Sequence, residues 1–225
     1  MYGFFLFTRF VLYELFLRIV TQQIRNSYSQ RSEDIIIDRL LGYKKKGFYI
    51  DVGANDPIRF SNTFRFYKRG WSGINIEPNN SRFNKLCVAR PKDINLNIGI
   101  GMSNQTLYFY TFFPDTLSTF SDIAAKKYIE NGYQLVGKAK MKVMKLADVF
   151  AHYYNNRSID FLSVDTEGYD LQVLKSNNWD KYRPKLICVE ADKNDKKITQ
   201  YLTGIGYNEI YSNGLNKIFV TTKNR

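Results

Sequence analysis

The chain has 225 residues, 44% hydrophobic and 16% aromatic, and its 33 Lys and Arg against 21 Asp and Glu give a formal net charge of +12. That apolar content excludes a disordered chain, and the length fits one α/β domain with a full core better than two. The charge suits an anionic membrane face or an anionic substrate. The short basic runs at 44–46, 138–145 and 193–197 carry no RNA-binding signature, so no nucleic-acid partner is expected.

Residues 1–26 are the first expected unit, an apolar helix. Arg9, Glu14 and Arg18 interrupt the run Y-G-F-F-L-F-T-R-F-V-L-Y-E-L-F-L-R-I-V, and charges near the middle of a spanning helix are costly. A signal peptide would need a clean apolar region and a small-residue cleavage site, and neither is seen. The segment reads as a helix that packs on the rest of the protein or a partner, or that lies in a membrane interface. The chain is accordingly expected in the cytoplasm, with a peripheral contact at the inner face of an anionic membrane if this helix docks there. The remainder, residues 27–225, reads as one domain.

From Ser27 the sequence runs S-Y-S-Q-R-S-E-D-I-I-I-D-R-L-L-G, which predicts a helix capped by Ser32 and ended by Gly42. Residues 46–79 then form one β-turn-α-β unit. Phe48, Tyr49, Ile50 and Val52 make a short apolar strand that contains Asp51 and ends at Gly53. Ser61-Asn62 opens the following helix, with Phe64 and Tyr67 turned inward. A second strand, Ile74 to Ile76, ends in Glu77-Pro78. Ligands of open α/β sheets bind outside the carboxyl ends of the strands, and an acidic residue ending strand two is the usual partner of ribose hydroxyls.

The loop D-V-G-A-N-D-P lacks the glycines of a dinucleotide fingerprint and brings Asp51 and Asp56 to the place of a pyrophosphate. A cofactor with positive charge and no phosphate fits it better, and S-adenosylmethionine is one. The candidate cofactor contacts in this unit are Asp51, Gly53, Asn55, Ser61, Asn62, Glu77 and Pro78.

A helix is expected over Asn80 to Arg90, with a third strand over Asp93 to Ile100 in which Asn97 is a candidate contact for the adenine edge. Thr106 to Phe112 alternates as an extra strand. Leu117 to Gly137 departs from βα alternation, as an inserted substrate lid would. Met141 to Met144 reads as a short strand and Leu146 to Tyr154 as a helix whose His152 has no partner to orient it as a base. Cys87 and Cys188, without metal-ligand neighbours, are expected as buried thiols.

Phe161 to Val164 is a buried strand leading into D-T-E-G, followed by a helix over Asp170 to Ser176; Leu186 to Val189 is the next strand and ends in Glu190. Asp165, Glu167 and Glu190 thus form an acidic cluster at neighbouring strand ends. Tyr207 to Tyr211 and Lys217 to Thr222 close the chain as a hairpin with a glycine turn.

These motifs together resemble the FkbM-like S-adenosylmethionine-dependent methyltransferases. The likeness is carried by S-Y-S-Q-R-S-E-D, F-Y-I-D-V-G-A-N-D-P, S-N-T-F, G-W-S-G-I-N-I-E-P-N, L-S-T-F, I-D-F-L-S-V-D-T-E-G-Y-D-L-Q-V-L-K and R-P-K-L-I-C-V-E, from Ser27 to Glu190. The resemblance implies a Rossmann-like class I methyltransferase fold, with a seven-stranded, mainly parallel sheet and an antiparallel C-terminal hairpin. It implies O-methylation of a hydroxyl on a sugar, glycan or natural-product acceptor. In that reading Asp165 is the base that takes the acceptor proton, and Glu167 and Glu190 assist it or hold a divalent metal such as Mg²⁺. Two other readings stay open: a NAD-dependent enzyme on a similar sheet, against which the missing glycines count, and a non-catalytic, membrane-docked scaffold that kept the fold.

Overall fold

The computed structural model describes residues 26–154, 157–192 and 195–223, so the apolar helix expected over residues 1–26 lies outside them except for Asn26. Among the described residues no helix is long and apolar enough to cross a membrane.

A first helix, α1 (Glu33–Leu40), leads into β1 (Phe48–Val52), and the unit continues with α2 (Phe64–Lys68), β2 (Ser72–Ile76), α3 (Asn80–Ala89) and β3 (Ile94–Leu96). Next come β4 (Gly99–Ile100), β5 (Gln105–Phe113), α4 (Asp122–Glu130), β6 (Gln134–Met144) and α5 (Leu146–Tyr153). The chain closes with β7 (Phe161–Val164), α6 (Asp170–Lys175), β8 (Leu186–Glu190), α7 (Lys196–Gly204), β9 (Tyr207–Ser212) and β10 (Asn216–Thr221).

Seven strands form the main sheet in the order β3-β2-β1-β7-β8-β10-β9. The first five are mutually parallel, and β10 runs antiparallel to both of its neighbours. The strand sequence reverses between β1 and β7, and the carboxyl ends of two such strands leave a crevice for ligands. Alternation along the strands builds two cores. Phe48, Ile50, Val52, Ile74, Leu162, Val164 and Val189 pack on one face. Tyr49, Phe161, Leu186 and Ile218 pack on the other with Ile37, Phe66 and Trp71.

One row on the second face is polar. Register aligns Asn95, Asn75, Asp51, Ser163 and Cys188 across five strands. Buried polar atoms need partners, and the main one comes from Arg90, whose side chain is fully buried. Its guanidinium donates to Thr63 Oγ1 at 2.6 Å, Ser61 Oγ at 2.7 Å and Asn75 Oδ1 at 3.3 Å, and holds the Pro57 carbonyl through Nε at 2.9 Å. Thr63 in turn donates to Asp51 at 2.5 Å.

Several sequence expectations change. The helix after the cofactor loop starts at Phe64 rather than Ser61, because the Ser61 hydroxyl accepts from Thr63 and Phe64 N–H and from Arg90. Phe66, not Phe64 or Tyr67, is its buried residue. Ser32 makes no side-chain cap: it adopts φ 69°, and Glu33 and Asp34 are buried instead. Asp34 accepts from Ser29 Oγ at 2.8 Å and Tyr28 N–H at 2.9 Å, while Glu33 accepts from the amides of Asn213 at 2.7 Å and Asn216 at 2.8 Å.

The third strand is two strands. At Asn97 the chain leaves the main sheet, and Gly99-Ile100 joins a second sheet of order β4-β6-β5. A Cβ at Gly99 would stand 2.4 Å from the Phe120 ring, so this crossing needs glycine. The strand expected over Met141 to Met144 runs from Gln134, pairing antiparallel with β5 from Gln105↔Val143 to Phe113↔Gln134. Cys87 is exposed; only Cys188 is buried.

Candidate active site

A cleft of about 300 Å³ opens at the carboxyl ends of β1, β2, β7 and β8 and is covered from the other side by residues flanking β4, β5 and α4. Its floor is the β1 loop. Gly53 and Ala54 N–H donate to the Ile76 carbonyl at 2.9 and 3.2 Å, folding the loop onto β2. Gly53 has φ 81°, and a Cβ there would lie 1.8 Å from the Asp165 carbonyl oxygen, so only glycine lets β1 and β7 end this close together.

Glu77 is held from both sides. Asn55 N–H donates to Oε2 and Asn79 N–H to Oε1, each at 2.7 Å. The residue is 5% exposed, and burial pushes its carboxyl up to about 7 against the lowering effect of those two N–H groups. Asn55 itself sits at φ 45°, and its Oδ1 is buried with no hydrogen-bond partner. An orphaned acceptor beside a buried carboxylate, both lining the cleft, leaves two acceptors for donor groups of a ligand. Asp56 turns away from this pair: it accepts from Ile58 and Arg59 N–H at 3.0 and 2.9 Å and pairs with Arg82 at 2.8 Å. Arg82 also binds Asp115, so its charge is spent on two carboxylates.

Past the ends of β7 and β8, Asp165, Glu167 and Glu190 converge, with one carboxylate oxygen of each within 4.8 Å of the others. Strand geometry does not persist into this segment; Glu167 adopts φ 51° and Thr119 Oγ1 holds its carbonyl at 3.0 Å. Burial, then the charge of Asp170, raises the Asp165 carboxyl to about 7. Burial and the neighbouring carboxylates push Glu167 and Glu190 well up. Asp165 and Glu190 share a hydrogen bond that favours the charged form of Asp165 and the neutral form of Glu190. Asp170 is occupied structurally, accepting from Thr166 N–H and Oγ1 at 2.9 Å each and from Gly168 N–H at 3.2 Å.

Of the residues singled out in the sequence, Asp51, Gly53, Asn55, Ser61, Asn62, Glu77, Pro78, Asp165, Glu167 and Glu190 all line this one cleft. Their atoms are not equally free. Asp51 is 5% exposed, bonded to Thr63 and raised by burial, with Arg90 opposing the rise. Ser61 is engaged as described, and Asn62 donates to Ser163 Oγ at 3.1 Å. Asn97 is not part of the lining: its amide donates to the Glu77 and Pro78 carbonyls at 2.9 and 3.0 Å, fixing the strand end from behind.

Sequence reasoning missed Arg90, which no periodicity marks. Thr119 and Phe120, in the segment expected as an inserted lid, line the cleft, while Phe109 and Tyr169, which line it with them, were not singled out in the sequence.

Comparison with known proteins bears on this arrangement. Curated proteins give no match. Among solved structures, the methyltransferase FkbM of Methylobacillus flagellatus is 13% identical with a TM-score of 0.49, over 78% of this chain and 44% of that one. A Haemophilus influenzae protein described as a methylase is 15% identical, TM-score 0.43, over 86% and 89%. Precorrin 8W decarboxylase of Methanobacterium thermoautotrophicum is 13% identical, TM-score 0.41, over 84% and 89%. The chain thus spans less than half the length of the first of these. The description "Methyltransferase FkbM domain" matches residues 51–209, from the aspartate of β1 into β9 and across the whole cleft floor. With well over half of its length matched, the chain belongs to the FkbM methyltransferase domain family.

Proposed function

We propose that the protein is an S-adenosylmethionine-dependent O-methyltransferase acting on a hydroxyl of a sugar, glycan or natural-product-like acceptor. The observation that carries the reading is the gathering of two acidic groups in one cleft: Glu77 with Asn55 at the ends of β1 and β2, and Asp165, Glu167 and Glu190 at the ends of β7 and β8. When bound, S-adenosylmethionine supplies a methyl group made electrophilic by its sulfonium. The residues present suit such a molecule. The cleft offers an orphaned amide oxygen and a pre-oriented carboxylate to hydroxyl donors, and a cluster of three carboxyls to a cation.

Glu77 binds the ribose hydroxyls in this reading, with Asn55 Oδ1 accepting beside it and Gly53 letting the loop backbone come close. Asp165 takes the acceptor proton, because its carboxyl is poised near neutrality. Glu167 and Glu190 stand beside it, their carboxyls pushed well up by burial and by the neighbouring carboxylates. The same three carboxylates have the oxygen chemistry of a Mg²⁺ site, which would displace their protons; a chelator separates the two cases, since a plain base survives EDTA. The roof residues Phe109, Phe120 and Tyr169 narrow the mouth and exclude water around the acceptor.

The test is transfer of labelled methyl from S-adenosylmethionine into glycan and polar-metabolite extracts of cells that lack the protein. Label in a hydroxyl-derived methyl ether supports the proposal. Label in nitrogen- or carbon-linked methyl groups alone would refute the acceptor class.

A further inference from the structure

The outer face of the β5–β6 hairpin takes no part in the cleft. Lys138, Lys140 and Lys142 alternate with inward residues such as Val143 and are exposed. Register sets Tyr110 opposite Lys138, Tyr108 opposite Lys140 and Thr106 opposite Lys142. The Lys138 ammonium lies 4.3 Å from the Tyr108 ring centre and 4.8 Å from that of Tyr110. Neither strand contains an Asp or Glu; one carboxylate reaches the ladder, Asp122 of α4, which accepts from the Tyr110 hydroxyl at 2.7 Å.

The far end of the same hairpin is apolar. Thr111 pairs with Gly137 and Phe112 with Leu135, which leaves Val136 as the extra residue of a bulge, 61% exposed. Phe113, Tyr133 and Leu135 are exposed beside it. The helix α4 packs along the hairpin through Tyr128 on Phe112, ring centres 5.5 Å apart, and adds Ile129 and the 83% exposed Ile123 beside exposed Lys126 and Lys127, with Asp122 and Glu130 at its two ends. Single exposed apolar residues are ordinary; a gathered set bordered by lysines marks an interaction surface.

We propose that this hairpin end, with α4, docks on an anionic lipid bilayer. The aliphatic tip enters the headgroup–acyl boundary while Lys138, Lys140 and Lys142 meet lipid phosphates. A glycan or single-stranded nucleic acid would use the tyrosines and lysines but leave the aliphatic side chains with nothing to bury against. The net charge of +12 favours the same partner. Leu117, Thr119 and Phe120, in the link from β5 to α4, line the cleft, so docking presents its mouth to acceptors at the bilayer surface.

Flotation of the full chain with phosphatidylglycerol or phosphatidylcholine vesicles tests this. Binding is expected to the anionic vesicles only, with release in high salt. Replacing Lys138, Lys140 and Lys142 by Glu should weaken it by about 100-fold or more, each lysine contributing roughly fivefold. Val136→Asp with Leu135→Ser should also abolish flotation at an unchanged thermal midpoint; if that variant unfolds, the exposed lysine set decides alone. A full chain that ignores anionic vesicles overturns the proposal, as do variants that float like the wild type. So does a dimer that Val136→Asp dissociates in a chain without lipid binding, which would make a second copy the occupant.

Discussion

Glu77 serves two structures at once, since the two N–H groups that orient its carboxylate are also what holds the β1 loop and the start of α3 in place. If it also accepts the ribose hydroxyls, Glu77→Ala removes charge-assisted bonds of roughly 1.5–3 kcal/mol, and cofactor affinity should fall about tenfold or more in a titration. Glu77→Gln keeps one accepting oxygen and should lose less. Asp165 carries a separate expectation. Asp165→Asn preserves shape but not basicity, so turnover should drop by about 10²–10⁴ while cofactor affinity stays within a few fold. Because burial raises the Asp165 carboxyl to about 7, the base is present above that pH and protonated below it. The rate should therefore fall as pH drops through 7, and a rate flat from pH 5 to 8 would remove Asp165 from the role. At this scale the sequence was legible where position alone decides: Asp51 lies one residue before the end of β1, and Glu77 and Asp165 directly follow β2 and β7. It was illegible where hydrogen bonding decides, as in Ser61 and Asn97, whose polar groups turn back into the fold.

Strands of the main sheet announce themselves as short runs rich in Ile and Val, and β1, β2, β7 and β8 lie where those runs are. The second sheet does not. Lysines and a glycine along β6 have weak strand preference, and only pairing with the aromatic β5 makes an eleven-residue strand of it. The β3–β4 break is likewise invisible, because Asn97 and Gly99 acquire their roles from groups distant in sequence. Arg90, at the end of α3, ties the polar row of the sheet to the Pro57–Thr63 segment. Arg90→Leu removes the buried positive charge that favours the ionised forms of Asp51 and Asp93 and leaves the Pro57, Ser61 and Thr63 acceptors without their donor, a loss of roughly 3–5 kcal/mol. For a chain of this size that is a fall in Tm of about 10 °C; differential scanning calorimetry reads it, and an unchanged midpoint would mean the row is held by other groups.

Across the whole molecule, the site concentrates carboxyls whose folded values lie above their unfolded ones: Glu77 and Asp165 near 7, Asp170 near 6. Between about pH 4.5 and 7 the folded state then binds more protons than the unfolded one, so stability declines as pH rises through that window and levels off above it. For Glu77 alone the change is of the order of 3 kcal/mol. Asp38, lowered by its contacts with Arg69 and Arg65, works in the opposite sense only at more acid pH. Urea melts of the ligand-free protein at pH 5 and pH 7.5 should give the higher midpoint at pH 5. A cofactor that favours the ionised forms of Glu77 and of the carboxyl cluster would offset this penalty at neutral pH, which links stability to the central proposal. The most direct test of that proposal is calorimetric titration at pH 7.5 with S-adenosylmethionine and, separately, NADH. Saturable binding of the sulfonium compound, weakened about tenfold or more by Glu77→Ala, with no heat from NADH, is the expected result; binding of NADH in preference to S-adenosylmethionine would contradict it.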